Sequence, residues 1–160
     1  MIDFEAALRA LANEGVQFIV VGGAAATAHG SARLTQDLDV VYERSQTNIA
    51  RLVHALGPFS PYLRGAPPGL PFRFDEETVK HGLNFTLTTS VGDLDVLGEI
   101  AGGGTYQALE SHTKRLALFG VECLVLGLPK LIEVKRAAGR AKDLEAIAEL
   151  EEIRDLQARD

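Results

Sequence analysis

The sequence predicts a mixed α/β (α+β) domain with a helical C-terminal part. Three observations carry this reading. Short runs rich in β-branched residues or with alternating polarity cluster in the middle of the chain. Segments of helical periodicity flank and interrupt them. Pro129 sits where a first helical residue would, ahead of about thirty residues that read as two helices.

Each element has a local cause. Residues 4–14 read as a helix, with Phe4, Leu8 and Leu11 on one face, Asp3 as the cap and Gly15 as the stop. Val16–Val21 is an apolar run that reads as a buried strand. Gly22-Gly23 breaks it, and Ala24–His29 reads as a short helix closed by Gly30. Asp37–Tyr42 reads as a second strand. Ser45–Leu56 reads as a helix, with Ile49, Leu52, Val53 and Leu56 on its apolar side. Residues 57–73 hold five of the six prolines and three glycines, and are expected to form an irregular loop. Leu83, Phe85 and Leu87 alternate with Asn84, Thr86 and Thr88, which is the strand period. Asp93–Leu97 is a further strand, followed by a flexible loop at Gly102-Gly103-Gly104. Val121–Leu126 is the last expected strand. Helices over 129–138 and 141–157 complete the chain.

The composition narrows the function. At 160 residues and 46% hydrophobic content, the chain (1–160) is expected to form one domain with its own core, about 14–126, plus the C-terminal helices. A net charge of -6 argues against a protein that coats nucleic acid, though not against a local anion site. The lone Cys123 excludes a disulfide framework and a cysteine-built zinc site, and is expected to be a buried core thiol. His29, His54, His81 and His112 show no zinc spacing, and Ser111-His112 makes no hydrolase triad. No apolar run approaches the roughly 20 residues needed to span a bilayer. Residues 1–5 carry no basic stretch or long apolar stretch, so a cytoplasmic location without membrane contact is expected.

The aspartates are the most informative residues. Asp37 and Asp39 lie two apart on an expected strand and so point to one face, with Leu38 and Val40 on the other. Two like charges held together raise each other's pKa unless a cation is present. Asp93 and Asp95 repeat the pattern around Leu94 and Val96. Two such strands in one sheet would form an oxygen-rich site suited to Mg²⁺ or Mn²⁺. Asp95 is the better third carboxylate, because apolar residues flank it on both sides, whereas Asp93 follows Gly92 and is expected to face solvent.

Two further features suggest an anion. Gly22-Gly23 lets backbone N–H groups approach a phosphate where a helix begins. Neither a Walker motif nor a dinucleotide fingerprint surrounds the pair. Residues 130–142 carry Lys130, Lys135, Arg136, Arg140 and Lys142 against Glu133 alone, whereas 143–160 carry seven acids and two basic residues. Such a cluster in an acidic chain suits a localised anion such as a triphosphate, or else forms a solvated face paired to neighbouring acids.

Taken in order, Val20-Val21-Gly22-Gly23, Ala28-His29-Gly30, Arg33-x-Thr35-x-Asp37-Leu38-Asp39-Val40 and Asp93-Leu94-Asp95-Val96-Leu97 resemble the nucleotidyltransferase superfamily typified by DNA polymerase beta. The segment from Leu131 to Leu144 is similar to the helical part of its minimal members, including AbiEii-toxin-like proteins and small uncharacterised nucleotidyltransferases. The resemblance covers roughly residues 14–150. It implies a mixed sheet of about four or five strands flanked by helices. It implies Mg²⁺ (or Mn²⁺) on Asp37, Asp39 and Asp95, with Asp95 also helping to activate an acceptor hydroxyl. Gly22 and Gly23 would hold the β- and γ-phosphates of a nucleoside triphosphate. Lys135 and Lys142 would stabilise phosphate charge, and Arg33 and Thr35 would contact the nucleotide or orient the carboxylates. The implied activity is transfer of a nucleoside monophosphate to an acceptor hydroxyl on an RNA end such as tRNA, a protein or a small molecule. The alternative is a module that binds nucleotide without turnover, or a toxin–antitoxin partner. Loop 57–73 is expected to form part of the acceptor mouth.

Overall fold

The computed structural model describes residues 2–159. The chain begins with α1 (Phe4–Asn13), capped by Asp3, whose Oδ1 accepts a hydrogen bond from the Ala6 amide at 3.0 Å. β1 (Phe18–Val21) follows and is buried throughout. It starts two residues later than expected. Val16 N still donates to Leu11 O of the helix end, and Gln17 N donates to the buried Asn48 side chain, so neither amide is free for the sheet. α2 (Gly22–Ala28) begins directly at the glycine pair. β2 (Asp37–Tyr42) and α3 (Gln46–Leu56) then lie close to their expected positions, with Ser45 capping α3.

The second half holds more structure than the sequence suggests. β3 (Tyr62–Leu63) lies within the proline- and glycine-rich segment, so that segment is not wholly irregular. α4 (Glu76–His81), capped by Asp75, leads into β4 (Asn84–Thr89) and β5 (Gly92–Leu97). The expected flexible loop at 102–104 is instead closed by a short hairpin, β6 (Glu99–Ile100) with β7 (Gly104–Thr105). α5 (Tyr106–Glu110), β8 (Thr113–Leu118) and β9 (Val121–Leu126) follow. α6 (Leu128–Ala138) and α7 (Ala141–Ala158) close the chain, separated by Gly139 in the left-handed region.

The principal sheet has seven strands in the order β3-β4-β5-β2-β1-β9-β8, not four or five. The additional strands are at its margins. β3 is two residues long, and β8 is a largely exposed edge whose Lys114 and Arg115 hide any alternation. The pairing is mixed: β2 runs parallel to β5 and β1 parallel to β9, and the other neighbours are antiparallel.

The core position of β2 and β5 follows from their alternation. Leu38, Val40, Leu94 and Val96 are fully buried, so the aspartates between them project from the opposite face. α2 packs on β1, β2 and α6, and α6 packs on α7. This stacking brings the C-terminal helices over the same end of the sheet as the glycine pair. Cys123 is buried, as expected, and burial pushes its thiol up to about 11.

Candidate active site

Register places the carboxylates side by side. Asp37 pairs with Asp93 and Asp39 with Asp95 across the parallel β2–β5 ladder. Strands in a sheet lie about 4.8 Å apart, so each pair of carboxylates is close without any bend of the chain. On the other side of β2, Asp39 pairs with Val21, the residue before the glycines. The sheet therefore sets the glycine pair, Asp39 and Asp95 in one row.

Both glycines are required by close packing. Gly22 has φ +65°, and a Cβ there would overlap Asp39 Oδ2 and lie 3.1 Å from Asp39 Cγ. A Cβ on Gly23 would lie 2.6 Å from Thr35 Oγ1. Asp39 and Thr35 thus lie directly against this backbone. Thr35 donates in turn to Asp37 O at 3.1 Å, tying the approach loop to the start of β2.

The charge balance at Asp39 is unusual. Burial, then the Asp95 charge and a hydrogen bond shared with Asp95, then Asp37 push its carboxyl up to about 7, with Arg64 only partly opposing them. Its Oδ1 is buried without a hydrogen-bond partner among the described residues. An unpartnered buried carboxylate oxygen is costly unless something binds it. Oxygen donors held this way suit a hard divalent cation, so Asp37 and Asp39 fit the Mg²⁺ or Mn²⁺ that the sequence suggests.

A cleft of about 420 Å³ lies beside this row. Its walls include Gly22, Gly23, Asp37 and Asp39 from the sheet end. Arg33 and Thr35 come from the loop before β2, and Lys135 and Lys142 from the C-terminal helices. The cleft thus gathers every residue expected to hold metal or nucleotide except Asp95, which is not on its wall, while Lys130 and Arg136 of the basic cluster also lie outside it. Asp95 is nonetheless the more enclosed of its pair, at 18% side-chain exposure against 40% for Asp93.

The basic helices divide into two groups. Lys130 pairs with Glu133 at 2.7 Å, Arg136 with Glu151 at 2.7 Å, and Arg140 with Asp143 at 2.6 Å. These three are held by neighbouring acids. Lys135 lies deeper, 3.9 Å from Asp143 Oδ1. Burial lowers its pKa, with Asp143 and then Asp39 partly offsetting that effect. Lys142 is exposed at the cleft rim. Arg33 is also exposed and sits 3.4 Å from Glu145.

Three residues tied to this site by their contacts were not legible in the sequence. Arg64, after β3, donates to Asp95 Oδ1 at 2.6 Å and lies 3.3 Å from Asp93 Oδ2. Asp143 is nearly fully buried under Arg140, whose Nε and Nη2 both donate to it; burial would raise its pKa, but Arg140 and Lys135 hold it low. Glu149 of α7 accepts from Ser31 Oγ at 2.5 Å and from Ala32 N at 3.2 Å, latching the loop that carries Arg33 and Thr35. His29 is structural: its Nε2 donates to Leu126 O at 2.8 Å, joining the end of α2 to the end of β9.

No family model and no curated protein sequence matches the chain. Among solved structures it is similar to a Thermotoga maritima protein described as a "putative nucleotidyltransferase", at 14% identity and a TM-score of 0.53. The superposition covers 100% of this chain and 97% of that one. At this identity the likeness defines the fold: the chain has a nucleotidyltransferase-like fold over its whole length. Among the described residues, no helix is long and apolar enough to cross a membrane.

Proposed function

We propose that the chain is a metal-dependent nucleotidyltransferase that moves a nucleoside monophosphate from a nucleoside triphosphate to an acceptor hydroxyl. The observation that carries this reading is Asp39. Its carboxylate is pressed against Gly22, set in register with Asp95, and left with a buried oxygen that no group among the described residues satisfies. A structural aspartate would not be kept so poorly paired at the wall of a cleft.

In this reading Asp37 and Asp39 hold Mg²⁺ or Mn²⁺, and Asp95 completes the set. When bound, the ion supplies positive charge to the triphosphate and to the developing transition state. The chain's own residues position the substrate. The Gly22-Gly23 backbone can approach the β- and γ-phosphates because it has no side chains. Lys135 and Lys142 offset phosphate charge from the opposite wall, and Arg33 and Thr35 close the mouth. The acceptor oxygen attacks the α-phosphorus, and the bond to the bridging oxygen of the β-phosphate breaks. Pyrophosphate leaves with that electron pair, and Asp95 takes the acceptor proton. Positioning and electrostatics account for most catalysis of this kind.

The test is label transfer. Each α-phosphate-labelled triphosphate is incubated with the protein, Mg²⁺ or Mn²⁺, and RNA, protein or small-molecule acceptor pools. Labelled acceptor and pyrophosphate are expected from wild type and not from Asp37→Asn or Asp39→Asn. Equal label transfer by wild type and both variants would refute the assignment.

A further inference from the structure

The segment after α3 contributes one cation to the carboxylate cluster, and its geometry is uneven. Arg64 Nη2 donates to Asp95 Oδ1 at 2.6 Å and to Leu87 O at 2.8 Å. Its backbone N donates to Thr86 O at 3.0 Å. Thr86 and Leu87 belong to β4, so the residue is fastened to the strand beside Asp95. The approach of Nε to Asp93 Oδ2 at 3.3 Å is within ion-pair range, yet this buried Nε makes no hydrogen bond. One orphan donor on Arg64 and one orphan acceptor on Asp39 therefore sit in the same cluster. Native clusters rarely leave both signs unsatisfied when a small adjustment could pair them.

Backbone spacing does not keep the carboxylates apart, since Asp39 and Asp95 are paired neighbours. Among the described residues, however, no three carboxylate, histidine or cysteine side chains are gathered closely enough to enclose an ion. What holds Asp95 is the guanidinium. A charge-assisted bond of this length is strong and directional, and it occupies Asp95 Oδ1 even though Asp95 also lies within hydrogen-bond reach of Asp39.

Resting on the metal site proposed above, we infer that Arg64 is a resident counter-cation that must release Asp95 before three carboxylates can close around an ion. In the ion-free chain it offsets one of the two charges on Asp93 and Asp95, so the four neighbouring carboxylates are not left without a cation. When an ion enters at Asp37 and Asp39, the cation and the guanidinium repel, and Asp95 exchanges one for the other. The released side chain gives up Leu87 O as well, and this loosens the segment from β3 onward. Ion occupancy and mobility of residues 62–73 are thus coupled through one side chain. Arg64 acts through Asp95 and is a positioning residue.

The experiment is Mn²⁺ binding to the nucleotide-free protein, read by the paramagnetic resonance of free Mn²⁺, together with amide hydrogen exchange. Arg64→Gln is expected to bind Mn²⁺ about tenfold or more tightly than wild type, because the competing charge is gone. Adding Asp95→Asn to Arg64→Gln should erase that gain. Arg64→Lys keeps the charge and should stay near wild type, which guards against a folding artefact in Arg64→Gln. In wild type, Mn²⁺ should speed exchange of amides in 62–66. Binding by Arg64→Gln that is equal to or weaker than wild type would overturn the inference while leaving the metal site standing. Absence of Mn²⁺ binding in both wild type and Arg64→Gln would overturn the metal site and this inference together.

Discussion

Gly22→Ala perturbs the contact on which the site is built. Two costs are separable. The backbone at Gly22 has φ +65°, and an L-residue there costs roughly 1–2 kcal/mol. The new methyl would also overlap Asp39 Oδ2 and crowd Asp39 Cγ at 3.1 Å, so the carboxylate must move; overpacking of this sort costs roughly 1–3 kcal/mol. Reduced entropy of the unfolded chain returns about 0.4–1 kcal/mol. The net loss is about 1–4.6 kcal/mol, which a domain of ordinary stability survives. The assay is a double-mutant cycle by urea denaturation. In an Asp39→Ala background the Oδ2 and Cγ contacts are gone and Cβ remains at 3.3 Å, so Gly22→Ala should cost mainly its backbone part. A coupling energy of about 1–3 kcal/mol between the two positions is expected. Equal cost of Gly22→Ala in both backgrounds would refute the claim that this glycine exists to admit the carboxylate.

Two further outcomes follow from the same geometry. Folding raises the Asp39 pKa from 3.8 to about 7, so between these values the folded chain keeps a proton that the unfolded chain has lost. The stability this group contributes is complete below about pH 4 and is lost as pH rises through 7, by up to about 1.4 kcal/mol per pH unit. Asp39→Asn lacks that slope and should be more stable than wild type at pH 8 in chelator, by at most about 4 kcal/mol, and similar near pH 4; parallel stability profiles would contradict it. Glu149→Ala should speed hydrogen exchange at residues 31–36 several-fold while leaving the global unfolding midpoint in place; unchanged exchange there would show that the Ser31 and Ala32 contacts do not hold the loop.

The legible part of the fold was the part with strong local pattern. The alternation in Asp37–Tyr42 and Asp93–Leu97 announced both the strands and the face that carries the aspartates, because a half-buried strand repeats every two residues. The cap at Asp3 marked a helix start in the same local way. What was hidden depends on contacts remote in sequence. Tyr62–Leu63 becomes a strand only because Thr88 and Leu87 offer it an edge. The polar β8 is a strand because β9 pairs with it. Arg64 is one arginine in a proline-rich stretch until β4 brings it to Asp95, 31 positions away. Glu149 looks like any acid on a solvated helix, and its partner Ser31 is 118 positions distant. Asp143 stands at the head of an acidic run, yet Arg140 and the approach of Lys135 make its burial tolerable.

The central claim is that the cleft beside Asp39 binds a nucleoside triphosphate through a divalent cation. Calorimetric titration of each triphosphate into wild type and Asp39→Asn, with and without Mg²⁺, tests it most directly. Wild type is expected to bind in a Mg²⁺-dependent manner, and Asp39→Asn to lose that binding. Absence of binding with every triphosphate, or equal binding by the variant, would contradict it and leave a nucleotidyltransferase-like fold put to another use.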